Sequence, residues 1–130
     1  MAEPIVMITH FRIKAGVLEE LTRLHHEVAR QLRVDQPRTL VHFGYLDDAG
    51  TQVSFIHLFA DAESMDLHMQ GGDKRARAAY EYLERGTGWE VYGRPSRPVL
   101  EALRQEAAAL GVALSVQPDY LGGFLRLEQG

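Results

Sequence analysis

Histidine has the widest chemical scope in this sequence. Its imidazole gains and loses protons near neutral pH and also ligates metals. Six are present: His10, His25, His26, His42, His57 and His68. A base whose pKa lies near the working pH is the best abstractor of a proton from an acidic phenol or enol. His42 and His57 fall in two consecutive apolar segments, where hairpin pairing makes them cross-strand neighbours. His10 lies in the first apolar segment, on the side shared with Val6, Ile8 and Arg12. His68 comes early in a later helical segment. A histidine inside an apolar sheet costs free energy unless hydrogen-bonded, so His42 and His57 require partners or a cavity. Two readings stay open: structural, hydrogen-bonded histidines, or a pocket in which His68 or His57 is a base. His25 borders the core and His26 faces solvent; neither invites a functional reading.

Other chemistries find less support. His10, His42 and His57 could in principle hold a metal, but no H-x-x-x-H pair or carboxylate–histidine spacing points there, so no metal is expected. Zero cysteines exclude disulfides, thiolate nucleophiles, zinc ribbons and iron–sulfur clusters. There is no Ser–His–Asp order or nucleophile elbow. Gly71-Gly72 lacks the Lys-Ser/Thr of a P-loop and the pattern of a dinucleotide fold; it reads as a helix break, and beside a pocket it could act as a flexible lid. Trp89, Tyr45, Tyr80, Tyr82 and Phe55 can stack on a flat ligand but equally fill a core. Arg12 can steady an anion, although cations at strand ends usually reach water.

The elements that must position these residues follow from periodicity. Ile5 to Ile13 reads as a strand ended by Gly16. Val17, Leu18, Leu21, Leu24, Val28 and Leu32 recur at helical spacing, with charged residues between them. Leu40–Leu46 and Gln52–Phe59 read as a hairpin around Asp47-Asp48-Ala49-Gly50. Asp61 caps a helix from Ala62. After the break, Asp73 caps a second piece running to about Arg85. Trp89–Tyr92 is a short fourth strand. The order β-α-β-β-α-β gives a ferredoxin-like α+β layout with an antiparallel sheet. Residues 1–93 form this unit. Residues 94–130 add a linker, a helix through Leu100, Leu103, Ala107 and Leu110 stopped at Gly111, and two short strands at Val112–Val116 and Tyr120–Leu127.

The chain has 130 residues, 45% hydrophobic and 25% charged, which suits a globular domain with one core. A net charge of -4 offers no electrostatic reason to bind nucleic acid or an anionic membrane. The acidic start Met1-Ala2-Glu3-Pro4 is unlike a signal peptide and no apolar run spans a membrane, so a cytoplasmic protein is expected. One hairpin face carries Leu40, His42, Gly44, Leu46, Val53, Phe55, His57 and Phe59. The other carries Val41, Phe43, Tyr45, Ser54, Ile56 and Leu58; this pairing of faces holds for a loop of two or four residues and reverses for one of three. Helices can cover only one of these apolar faces, so a second copy is expected on the other. The alternative is that the C-terminal extension folds back over it.

The run Ile8-Thr9-His10-Phe11-Arg12-Ile13-Lys14-Ala15-Gly16 with its acidic helix start resembles the opening of the antibiotic-biosynthesis-monooxygenase-like family. So does Phe55-Ile56-His57-Leu58-Phe59-Ala60-Asp61-Ala62-Glu63-Ser64, with Met65-Asp66-Leu67-His68-Met69 after it. The resemblance covers about Ile5 to Gly93. It implies a homodimeric α/β barrel with a pocket between sheet and helices. It also implies an oxidoreductase of the cofactor-independent monooxygenase kind, acting on a small aromatic, quinol or polyketide-like compound with dioxygen and no metal or flavin. In such a pocket His68 and His57 are the catalytic candidates. His10, Arg12, His42, Phe55 and Trp89 are the substrate-binding candidates. Relatives that degrade haem carry Asn, an early aromatic and a ligating His where this chain has Thr9, His68 and Ala78, so haem degradation is set aside. A non-catalytic binder or sensor of a small apolar molecule is the competing reading, because one scaffold hosts many functions. A solidly packed interior would favour a third, an assembly protein with no ligand.

Overall fold

Alternation along β1 (Ile5–Ile13) sends Ile5, Met7, Thr9, Phe11 and Ile13 to one face of a sheet and Val6, Ile8, His10 and Arg12 to the other. The computed structural model describes residues 3–126. After β1 the chain runs through α1 (Leu18–Asp35), β2 (Thr39–Leu46), β3 (Gln52–Phe59), α2 (Ala62–Met69), α3 (Gly72–Tyr80), β4 (Leu83–Tyr92), α4 (Arg97–Leu110) and β5 (Leu114–Gln117). The sheet order is β2-β3-β1-β4-β5. Its first four strands are antiparallel, as the ferredoxin-like layout requires.

Hairpin register decides which side chains meet. Leu46 pairs with Val53, Gly44 with Phe55 and His42 with His57, so both histidines share the helix-covered face. The four-residue turn keeps that parity: Asp47 backbone N–H donates to the Gln52 carbonyl at 3.2 Å, and the Asp47 carboxylate accepts from the Thr51 and Gln52 amides. Leu40 is passed over between Thr39 and Val41, where the register shifts. The expected cap at Asp61 is present, its side chain accepting from Ser64 backbone N–H at 2.8 Å.

Four expectations change. The second piece of the interrupted helix stops at Tyr80 instead of near Arg85, and β4 begins at Leu83, well before Trp89. Two register shifts against β1 pass over Glu84 and Thr87, which scrambles the alternation that would have marked a strand. The helix after the break starts at Gly72, so Asp73 lies inside it; the preceding Gly71, at φ 74°, makes the left-handed bend that separates α2 from α3. The sheet is mixed, because β5 runs parallel to β4 across the α4 crossover. Lastly, Tyr120 to Arg126 forms no strand, its apolar run interrupted by Gly122-Gly123; Leu127 lies outside the described residues.

All helices lie on one face. Leu21 of α1, Leu103 and Ala107 of α4 and Met65 of α2 are buried with Phe11, Phe59, Trp89 and Val91 of the sheet. The extension therefore thickens the helix layer and adds an edge strand; neither α4 nor β5 folds over the opposite face. There Phe43 and Tyr45 stay 49% and 58% exposed. The sheet is not closed on itself. Among the described residues no helix is long and apolar enough to cross a membrane.

Candidate functional site

A cavity of about 190 Å³ lies between the sheet and the helices. Most of its wall is apolar, with Leu24 and Val28 from α1, Met7 and Phe11 from β1, and Trp89 from β4. One end carries four imidazoles. His42 and His57 come from the hairpin, His68 from the last turn of α2, and His25 from α1.

His42 Nδ1 and His57 Nε2 are 2.9 Å apart, one donating and the other accepting. His42 Nε2 and His57 Nδ1 are buried with no partner among the described residues. If His42 donates, its outer nitrogen is a lone pair and that of His57 carries hydrogen; if His57 donates, the roles exchange. In either tautomer the pair presents one spare donor and one spare acceptor. The His68 ring centroid is 4.9 Å from that of His57, and its Nδ1 shares a 2.9 Å hydrogen bond with Thr39 Oγ1. His25 stacks on His42 at 5.1 Å and 22°. Gly44 makes room for that stack, because a Cβ there would come within 2.8 Å of the His25 ring.

Burial sets the charge of this cluster. It pushes His42 down to about 4, helped by His25 and the Arg75 guanidinium. It pushes His68 down to about 4 as well, with Arg75 and His42 adding to the effect. The fully enclosed His57 is held well below its ordinary range by burial first, then by its histidine neighbours and Arg75. All three are neutral at pH 7. At the aromatic end, Tyr80 donates to Glu106 Oε1 at 2.6 Å, and burial together with this bond keeps its phenol protonated. Trp89 Nε1 is buried without a partner among the described residues.

Five of the seven residues singled out from the sequence line this cavity: His42, His57, His68, Phe55 and Trp89. His10 and Arg12 lie on the opposite face of the sheet. His10 bridges Ser54 Oγ and Glu90 Oε2, each at 2.6 Å, and Tyr92 donates to Glu90 at 2.8 Å. Arg12 faces Glu84 at 3.6 Å. Sequence reasoning missed His25, Thr39 and Arg75. The signal for His25 was present in Gly44, a glycine inside a strand, which marks a close approach of another group. Among the described residues no cluster of three His, Asp or Glu is arranged to hold a metal ion.

Neither a family model nor a curated protein matches the sequence. Solved structures do match in fold. MupZ from Pseudomonas fluorescens superposes with a TM-score of 0.69 at 19% identity, covering 95% of both chains. A candidate antibiotic biosynthesis monooxygenase from Caulobacter crescentus gives 0.61 at 12% identity, covering 69% of this chain and 88% of its own. A further antibiotic biosynthesis monooxygenase structure gives 0.55 at 19% identity, covering 67% and 92%. The chain has the antibiotic biosynthesis monooxygenase-like fold. The two monooxygenase structures leave nearly a third of this chain uncovered, whereas the likeness to MupZ is long enough to take in most of the extension.

Proposed function

We propose that the chain binds a small, mostly apolar aromatic or polyketide-like molecule in this cavity and starts its cofactor-independent monooxygenation by removing a proton. The observation that carries this is a mostly apolar cavity with buried imidazoles gathered at one end, two of whose nitrogens are left without partners among the described residues. A phenol or enol O–H gives its proton to His57 or His68, and the electron pair stays on the ligand oxygen. The anion left behind offsets the new imidazolium charge, which raises the basicity that burial had lowered. The electron-rich anion then passes electrons to dioxygen and a C–O bond forms at a ligand carbon. The O–O bond of the resulting hydroperoxide breaks as that carbon gives up its remaining hydrogen as a proton, leaving a carbonyl and water, so the ligand supplies all four electrons. The apolar wall keeps bulk water from the intermediates. A homodimer paired through the open sheet face, as in an α/β barrel, is part of this reading, supported by the exposed Phe43 and Tyr45.

The test is oxygen uptake in metal-free buffer with a quinol and an anthrone panel. Wild type should consume oxygen, and at least one of His57→Ala and His68→Ala should lose about 100-fold or more of that rate, the usual worth of a general base. Uptake absent with the whole panel, or unchanged in both variants, removes the catalytic assignment. Non-catalytic binding is the second reading, favoured by the weak basicity of His42 and His68 near 4. A co-purifying ligand seen by mass spectrometry, without turnover, would support it.

A further inference from the structure

Among the described residues, two side chains with a formal charge line the cavity, Arg75 and Glu106. Glu106 already accepts the Tyr80 hydroxyl. Arg75, half-buried on α3, has one hydrogen-bond acceptor among the described residues, the His68 backbone carbonyl at the end of α2. No described carboxylate lies within ion-pair distance of it. A guanidinium carries five N–H donors in a planar fork, so most of its donors remain available. Gly71 and Gly72 lie beside that fork: a Cβ on either would come within 4 Å of its terminal nitrogens, so the absence of side chains leaves the space next to them open. The neighbouring imidazoles are neutral and supply no countercharge.

We infer that Arg75 is an anion-recognition residue, and that the cavity takes an aryl carboxylate whose charged end sits on this guanidinium while its ring enters the apolar part near Phe55 and Trp89. A half-buried cation gains most from a partner that is both charged and bidentate, which a carboxylate is. A single guanidinium balances one negative charge, and among the described residues no other Lys or Arg lines the cavity to help hold a doubly charged phosphate, the neighbouring Lys74 and Arg77 lying outside its lining. The inference rests on the cavity being a ligand site, and it narrows the ligand from any small aromatic to an aromatic acid.

The experiment is calorimetric titration of wild type, Arg75→Gln and Arg75→Lys with 2-hydroxybenzoate and with its neutral isostere 2-hydroxybenzamide. Wild type should bind the acid about tenfold or more tighter than the amide. Arg75→Gln should lose that preference while keeping its affinity for the amide, and Arg75→Lys should regain part of it. Because Arg75 also holds the end of α2, the amide titration and a thermal melt show whether the Gln variant keeps its cavity. Equal wild-type affinity for acid and amide, or a preference that survives in Arg75→Gln, overturns the carboxylate assignment while leaving the cavity as a ligand site. Binding of neither compound to wild type removes both.

Discussion

At the residue scale, His68 and His42 are neutral in the fold at pH values where a free imidazole is mostly charged. Protons therefore prefer the unfolded chain between its ordinary value of 6.5 and the folded value of about 4. Stability from this source is full above about pH 6.5 and falls as pH drops toward 4. At about 1.4 kcal/mol per pKa unit, His68 alone accounts for roughly 3 kcal/mol across that window. Glu90 and Asp61 act lower. Their carboxyls are held below the ordinary 4.5 and 3.8 by hydrogen bonds from His10 and Ser64, so their contribution is lost only as pH falls through those lower values. Urea-denaturation midpoints measured from pH 7.5 to 5 should decline, and His68→Gln should flatten part of the slope. A midpoint constant over that range would contradict neutral burial of the cluster. That His42 and His57 are neighbours could be read from the hairpin, since turn length sets their pairing. Gly44 signals that some group approaches β2 closely, but that the group is His25 depends on how α1 is rotated over the strand.

At the scale of elements, β4 shows how close packing overrides local pattern. Gly86 faces Val112, and a Cβ built at Gly86 would lie 2.5 Å from Val112 Cγ2. Val112 is 8% exposed and packs with Trp89, and its β-branched side chain has little room to turn aside. Gly86→Ala should therefore cost about 1–3 kcal/mol through overpacking, read as a lower urea midpoint at pH 7.5. A midpoint matching wild type would mean that α4 and β5 do not press on β4 as described. The two glycines near the start of this strand look like helix terminators in sequence. They are strand residues because Phe11 and His10 of β1 pair with them. The break between α2 and α3, by contrast, was legible, since two adjacent glycines cannot sustain a short helix against their own backbone entropy. What the break achieves was not legible: it brings Arg75 back toward His68.

For the whole molecule, the decisive feature is the uncovered sheet face. Around β1 and β4 it is polar, with His10, Glu90 and Tyr92 joined by hydrogen bonds to one another and to Ser54 of β3. Its β2 and β3 side is apolar, and Phe43 and Tyr45 are each about half-exposed or more. Among the described residues the C-terminal stretch carries Leu121 and Phe124 at 102% and 83% exposure, and these two side chains do not cover this face. A second copy packed on the apolar side accounts for these residues. Sedimentation at micromolar concentration should give twice the chain mass, and Phe43→Lys with Ile56→Lys should shift the species toward monomer. A wild-type monomer at that concentration would sink the barrel arrangement.

Periodicity and turn chemistry by themselves determined the order of elements through β4, the hairpin register, the cap at Asp61 and the presence of two apolar sheet faces. These depend on residues close together in the chain, whose steric and hydrogen-bonding preferences act locally. Only the tertiary structure decided that His25, His42, His57 and His68 share one cavity with Arg75, that His10 and Arg12 lie on the far side, and that the extension joins the helix layer. Those outcomes turn on how helices rotate and settle over a sheet. That is set by shape-matching among side chains distant in sequence, at glycines such as Gly44 and Gly86 above all, and no local pattern encodes it.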